Sequence, residues 1–100
     1  MSETDYNIRE YILSLLDGRE LTTKQIIQSV QRDYKRKEFA PSKINDILRR
    51  FAENYTVSRT KRGPTKDDRS HRSFTITNRG RKRLDYYRRE LKKRGTYGYD

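Results

Sequence analysis

The spacing between apolar residues changes abruptly twice along this chain, and the two changes leave few folds open. Ile44, Ile47, Leu48 and Phe51 stand at i, i+3, i+4 and i+7, which places them on one buried face of a helix. From Tyr55 the period drops to two. Tyr55 and Val57 are expected to face inward, and after a polar interval Phe74 and Ile76 repeat the alternation. The helical period then returns with Leu84, Tyr87 and Leu91. The pattern predicts a helix, two strands joined by a loop, and a second helix, in that order.

Two more helices precede this unit. The first is predicted from about Thr4 to Leu16, with Ile8, Ile12, Leu15 and Leu16 as its stripe and Tyr6 and Leu13 off that stripe on another face. Asp17-Gly18 signals a turn, with Gly18 in the left-handed conformation. Thr22 and Gln25 have the spacing of a capping box and open the second helix, whose stripe is Ile26, Ile27, Val30 and Tyr34. Pro41 fixes a turn, Ser42 is expected to cap the third helix, and Asn54 is expected to end it in the left-handed position. Thr77 or Asn78 caps the fourth helix, predicted over about 78–94, and residues 95–100 read as a flexible tail. The fold class expected is mainly α with a small β-hairpin (α+β), in a single domain over residues 1–94.

Charge divides the chain in two. Residues 1–56 hold ten basic and nine acidic side chains, whereas residues 57–100 hold fifteen basic and five acidic ones. A solubilising surface mixes both signs, so a strongly basic half points to a surface that binds a polyanion. Only 30% of the residues are apolar, so the core is small and a partner or a bound polyanion would add to its stability. The absence of cysteine excludes disulfides and thiolate metal sites, and the single histidine, His71, excludes multi-histidine sites. No metal and no cofactor is therefore expected. No apolar run approaches a membrane span, and the acidic, polar start MSETDYNIRE is unlike a signal peptide.

Three helices followed by a hairpin with a basic tip form the winged helix-turn-helix order. The stretches Leu21-Thr22-Thr23-Lys24-Gln25-Ile26-Ile27 and Pro41-Ser42-Lys43-Ile44-Asn45-Asp46-Ile47-Leu48-Arg49-Arg50-Phe51 resemble the helix-turn-helix core of small PadR-like and MarR-like regulators. Phe74-Thr75-Ile76-Thr77-Asn78-Arg79-Gly80, followed by Leu84, is similar to their strand-to-helix signature Y-x-L-T-x-x-G-x-x-x-L. The resemblance covers most of residues 4–93, and such domains also occur in archaea and their viruses and plasmids. Two departures stand out. The segment from about Lys35 to Pro41 is longer and more basic than the usual tight turn, and Asn54 stands where relatives usually place glycine.

The resemblance implies double-stranded DNA as partner, with the third helix in the major groove. Ser42, Lys43, Asn45, Asp46, Arg49 and Arg50 are the candidates there, Arg suiting guanine, Asn adenine and Asp cytosine. The competing view is a solvated face on which Asp46 pairs with Arg50 and Arg49 with Glu53. Arg59, Lys61, Arg62, Lys66, Arg69 and Arg72 crowd the hairpin and suit the phosphate backbone or the minor groove. Lys35, Arg36 and Lys37 are candidates for flanking phosphates, and Arg79 for a contact from the fourth helix. Relatives dimerise through their first and last helices, which makes Tyr6, Leu13 and Tyr86 candidate homodimer contacts.

Four functions remain open at this point: a sequence-specific transcription regulator, an architectural chromatin-like DNA binder, a winged helix on structured RNA, and a protein-interaction wing. The first three follow the charge; the last does not. An enzyme is not expected, because there is no Ser–His–Asp order around His71 and no glycine-rich phosphate loop, and Asp67-Asp68 reads as a turn former. The expected location is cytoplasmic, with the nucleoid.

Overall fold

The computed structural model describes residues 3–34, 39–61 and 72–94. The elements run α1 (Glu3–Leu16), β1 (Leu21–Thr22), α2 (Thr23–Asp33), α3 (Pro41–Glu53), β2 (Val57–Lys61), β3 (Arg72–Ile76) and α4 (Asn78–Arg94). The strands form one antiparallel sheet in the order β1-β3-β2. In it Leu21 faces Phe74, Val57 faces Ile76 and Lys61 faces Arg72. The mainly helical α+β fold and the hairpin are as the sequence predicts; β1 is an addition.

The local signals explain most boundaries. Thr22 closes the predicted capping box: its Oγ1 accepts from the Gln25 N–H at 3.2 Å, and Gln25 Oε1 accepts from the Thr22 N–H at 2.9 Å. Gly18 takes the left-handed conformation, with φ +74°. α3 begins differently from expectation. Ala40 is its N-cap without a side-chain bond, Pro41 supplies the pre-set first residue, and Ser42 lies inside the helix rather than capping it.

The end of α3 is displaced by one residue as well. Asn54 has φ −91°, and the left-handed residue is Tyr55, with φ +58°. The Tyr55 N–H bonds the Ala52 carbonyl at 3.1 Å and the Thr56 N–H bonds the Phe51 carbonyl at 2.7 Å. These two bonds are a Schellman closure, which demands its left-handed residue at Tyr55. Consequently Tyr55 does not face inward; it is 72% exposed.

The larger correction concerns α1. Tyr6, Ile8, Glu10, Tyr11, Ile12, Leu13 and Leu16 are all buried, so this helix has no single inner stripe. It is covered by α4 on one side and by α2 and β3 on the other. Leu13 is fully buried, and Tyr6 packs against Tyr86 and Tyr87 with ring centroids 6.3 and 5.7 Å away. Neither has surface left to offer a second subunit, and Tyr86 is itself half-covered by Tyr6. Complete burial of a side chain such as Leu13 contributes about 1.5–3 kcal/mol, so α1 anchors the core.

Polar contacts lock the same helix on both sides. Glu10, buried, accepts from Arg88 Nε at 3.1 Å and from Ser14 Oγ at 2.8 Å, tying α1 to α4. Towards α2, the Tyr11 hydroxyl donates to the Asp33 carboxylate and lies 3.0 Å from the Ser29 carbonyl oxygen. Burial first, and the Asp33 carboxylate second, push the Tyr11 hydroxyl well above the usual tyrosine range. The same bond, helped by Arg32, holds the Asp33 carboxyl below the usual range.

α4 is seated by its first turn. Thr77 Oγ1 accepts from the Gly80 N–H at 3.0 Å, while the Thr77 hydroxyl lies 2.6 Å from the Tyr55 carbonyl oxygen and 2.9 Å from that of Thr56. A Cβ on Gly80 would stand 2.1 Å from the Thr56 carbonyl oxygen and 2.7 Å from Ile76 Cγ1. Glycine is required there because the first turn of α4 touches the backbone of Thr56, the residue just before β2. This contact gives the glycine of the strand-to-helix signature its physical meaning.

Candidate nucleic-acid interface

α3 buries Ile44, Ile47, Leu48 and Phe51 and leaves the opposite face to solvent. Ser42, Lys43, Asp46, Arg49, Arg50 and Glu53 are exposed there and Asn45 is half-buried. A turn of about 100° per residue sends Arg49 and Arg50 to different flanks, and the structure separates the predicted residues accordingly.

On one flank, a shallow cleft of ≈ 130 Å³ is lined by Asn45, Asp46 and Arg49 of α3, Arg59 of β2, Thr23, Leu48 and Phe74. Phe74 and Leu48 form its floor from the core side, so the cleft lies where the helix-turn-helix meets the base of the hairpin. Arg49 is bracketed by carboxylates, with Asp46 at 3.3 Å and Glu53 at 4.0 Å. The expected pairing of Asp46 with Arg50 is not the one formed; Asp46 turns to Arg49. These pairs are exposed, so each contributes at most a few tenths of a kcal/mol to about 1 kcal/mol, and a DNA phosphate or base edge can replace them.

On the other flank, Arg50 and Arg79 line a second cavity together with Arg9, Arg83, Asn54, Thr56, Phe51 and Tyr87. Arg9 was not singled out from the sequence. Its signal was weak, because an arginine beside Ile8 reads as the polar side of an amphipathic helix until both sides of α1 are known to be covered. Lys43 also departs from the groove-facing expectation. Its Nζ lies 3.6 Å from Asp5 Oδ1 and 5.5 Å from the centre of the Phe39 ring, so it leans towards the start of α1.

Lys61 and Arg72 are backbone partners at the outer end of the hairpin, next to the tip. Lys35, Arg36, Lys37, Arg62, Lys66 and Arg69 lie outside the described residues, as do Asp67-Asp68, His71 and the tail 95–100. Not every arginine of α4 is available to a ligand. Arg81 Nε contacts Asp17 at 3.4 Å, and Arg88 is committed to Glu10. Among the described residues no group of three or more His, Asp or Glu could hold a metal ion, and no helix is long and apolar enough to cross a membrane.

Fold and cleft together define a winged helix-turn-helix domain. Its arrangement is similar to that of two solved PadR regulators and of one further solved protein. A PadR-like transcriptional regulator of Bacillus cereus superposes with a TM-score of 0.72 at 13% identity, over 89% of this chain and 84% of that one. A PadR family transcription regulator of Clostridium difficile gives a TM-score of 0.66 at 19% identity, over 85% and 86% of the two chains. The smu.1704 protein of Streptococcus mutans gives 0.65 at 18% identity, over 99% and 95%. At these identities the likeness is one of fold. No family model matches the sequence, and no curated protein matches it either.

Proposed function

We propose that this chain binds double-stranded DNA as a transcription regulator and carries out no catalysis. α3 enters the major groove and the β2–β3 wing lies on the backbone or in the minor groove. The observation that carries this reading is the cleft at which Asn45 and Arg49 of α3 meet Arg59 of the wing base. Asn45 and Arg49, suited to base edges, and Arg59, suited to the backbone, share that cleft on a chain whose net charge is +11, which supports the reading. The solved proteins of the same fold that are named transcriptional regulators support the assignment. The basic residues of the tip, and Lys35, Arg36 and Lys37, extend the same footprint along the phosphates.

The test is fluorescence anisotropy with a mixed-sequence duplex at two salt concentrations. Neutralising several phosphates predicts a loss of affinity of roughly 10³-fold between about 50 and 200 mM salt. A duplex left unbound at low salt would reject the reading.

One observation favours a second reading, in which the protein packages DNA with little sequence preference. The net charge of +11, which attracts any duplex whatever its sequence, is that observation. Selection from a random duplex pool separates the two, since a regulator enriches a common motif and an architectural protein does not. A homodimer is part of the regulator reading, with the outer part of α4 as its surface in place of Tyr6 and Leu13. Light scattering on the full chain gives the mass that decides it. A cytoplasmic location with the nucleoid follows from the DNA partner.

A further inference from the structure

The cavity on the other flank of α3 has no part in the DNA reading just given. Arg9 of α1, Arg50 of α3 and Arg79 and Arg83 of α4 line it, with the rings of Phe51 and Tyr87 as walls. Its volume is ≈ 450 Å³, against ≈ 130 Å³ for the wing-side cleft. Among the described residues no carboxylate lines it. This contrasts with Arg49, Arg81 and Arg88, each of which has a carboxylate beside it.

Two of the guanidinium groups are already positioned. The Arg9 group lies 5.9 Å from the centre of the Phe51 ring, and its Nε is buried without a hydrogen-bond partner. The Arg83 group lies 5.3 Å from the centre of the Tyr87 ring, with Nε 3.4 Å from the Tyr87 hydroxyl. The helix dipole adds to this field. α4 begins at the cavity, has no acidic residue in its first turn, and carries Arg79 and Arg83 near its positive end. Four arginines with no carboxylate among them, one with a buried donor left unused, make a positive field that favours an anion between them.

We propose that this cavity binds a phosphate-bearing small molecule of about nucleotide size. The planar forks of arginine match phosphate oxygens two at a time. The volume of ≈ 450 Å³ lies within the roughly 300–1,000 Å³ of small-molecule sites. DNA carries the same phosphate chemistry. The cavity shares no lining residue with the α3–wing cleft, however, so a free ligand can occupy it apart from a duplex held there.

The full chain is titrated by calorimetry with sodium pyrophosphate and with ATP at low salt. Arginine Nε–Hε signals of the unmodified protein are followed by NMR in parallel. The expected result is saturable binding with one equivalent and movement of the signals of Arg9, Arg50, Arg79 and Arg83. The paired substitution Arg9→Gln and Arg83→Gln should weaken ATP binding by about tenfold or more, each removing a charge-assisted contact, with duplex affinity nearly unchanged. Absence of saturable heat with both probes overturns the site, as do arginine signals that stay in place. Equal loss of duplex affinity in the paired variant also overturns it, by assigning these arginines to the DNA backbone. If the paired variant does not fold by circular dichroism, the signals of the unmodified protein decide alone.

Discussion

Arg49 and Arg50 follow one another on α3, yet they serve opposite flanks of it. Arg49 faces the wing between Asp46 and Glu53. Arg50 faces α1 and α4 among three other arginines, with no carboxylate among the described lining residues. On the wing side acid and base compensate one another, so under the proposed DNA reading approach draws on the surrounding basic residues and the cleft contributes discrimination. On the α4 side the positive charge is uncompensated and recessed, which suits holding an anion rather than scanning a surface. Consecutive residues thus line two different cavities because the helix turns by about 100° between them, and the two proposals give them different tasks.

The contrast depends on where α4 is seated, so the largest expected effect comes from moving it. Gly80→Ala sets a Cβ against the Thr56 carbonyl oxygen and should cost about 3 kcal/mol of stability in urea denaturation. An unchanged midpoint would show that the strand does not position α4. Next, Glu10→Ala removes the buried carboxylate between α1 and Arg88. Because Arg88 is partly exposed, the expected loss is about 2 kcal/mol, below that of a fully enclosed pair. Binding should remain on the wing side if the two flanks are separate.

Smaller effects sharpen the division. Arg59→Ala should weaken duplex binding by about 1–2 kcal/mol and lower the salt slope by about one, whereas Arg83→Gln leaves both nearly unaltered. Equal effects would merge the two flanks into one surface. Tyr55→Gly should stabilise the fold by about 1 kcal/mol in thermal melts, since only glycine adopts the left-handed backbone without steric cost. A lower melting temperature would mean that the exposed ring makes a contact worth more than its strain.

The smallest effect is with pH. The folded Asp33 carboxyl titrates below its unfolded value, through the Tyr11 hydroxyl and then Arg32. Its contribution is complete above the unfolded value of about 3.9 and is lost as pH falls through the lower folded value. Asp33→Asn should therefore remove part of the acid-side slope of stability and leave it flat near neutrality. An unaltered acid limb would assign the clasp no energetic role.

The parts of the fold legible in the sequence are those governed by neighbours in the chain. The Thr22–Gln25 box, Gly18, the stripe of α3 and the alternation through Phe74 and Ile76 each need only a few consecutive residues to be specified. β1 was invisible because two residues, Leu21 and Thr22, become a strand only by pairing with Phe74 and Ser73 far along the chain. Tyr6 and Leu13 were misplaced for a similar reason. Nothing local reveals that α1 is covered from both sides. Asn54 has the right propensity, but the hydrogen-bond count of the helix end puts the left-handed residue one place later. Of the site, Asn45, Arg49 and Arg59 are legible in the sequence, whereas the grouping of Arg9 with Arg50, Arg79 and Arg83 needs the packing of three helices.

The short pairing of β1 with β3 has a mechanical consequence. β3 lies between β1 and β2, and β1 leads directly into the N-cap of α2. The hairpin is therefore riveted to the helix-turn-helix at its root and cannot tilt without breaking the Leu21–Phe74 and Thr22–Ser73 pairs. Reading helix and wing root act as the two arms of a caliper with a preset opening. If the chain binds DNA as proposed, duplexes whose grooves match that opening are gripped without rearrangement of the protein, and those that do not must deform themselves to fit.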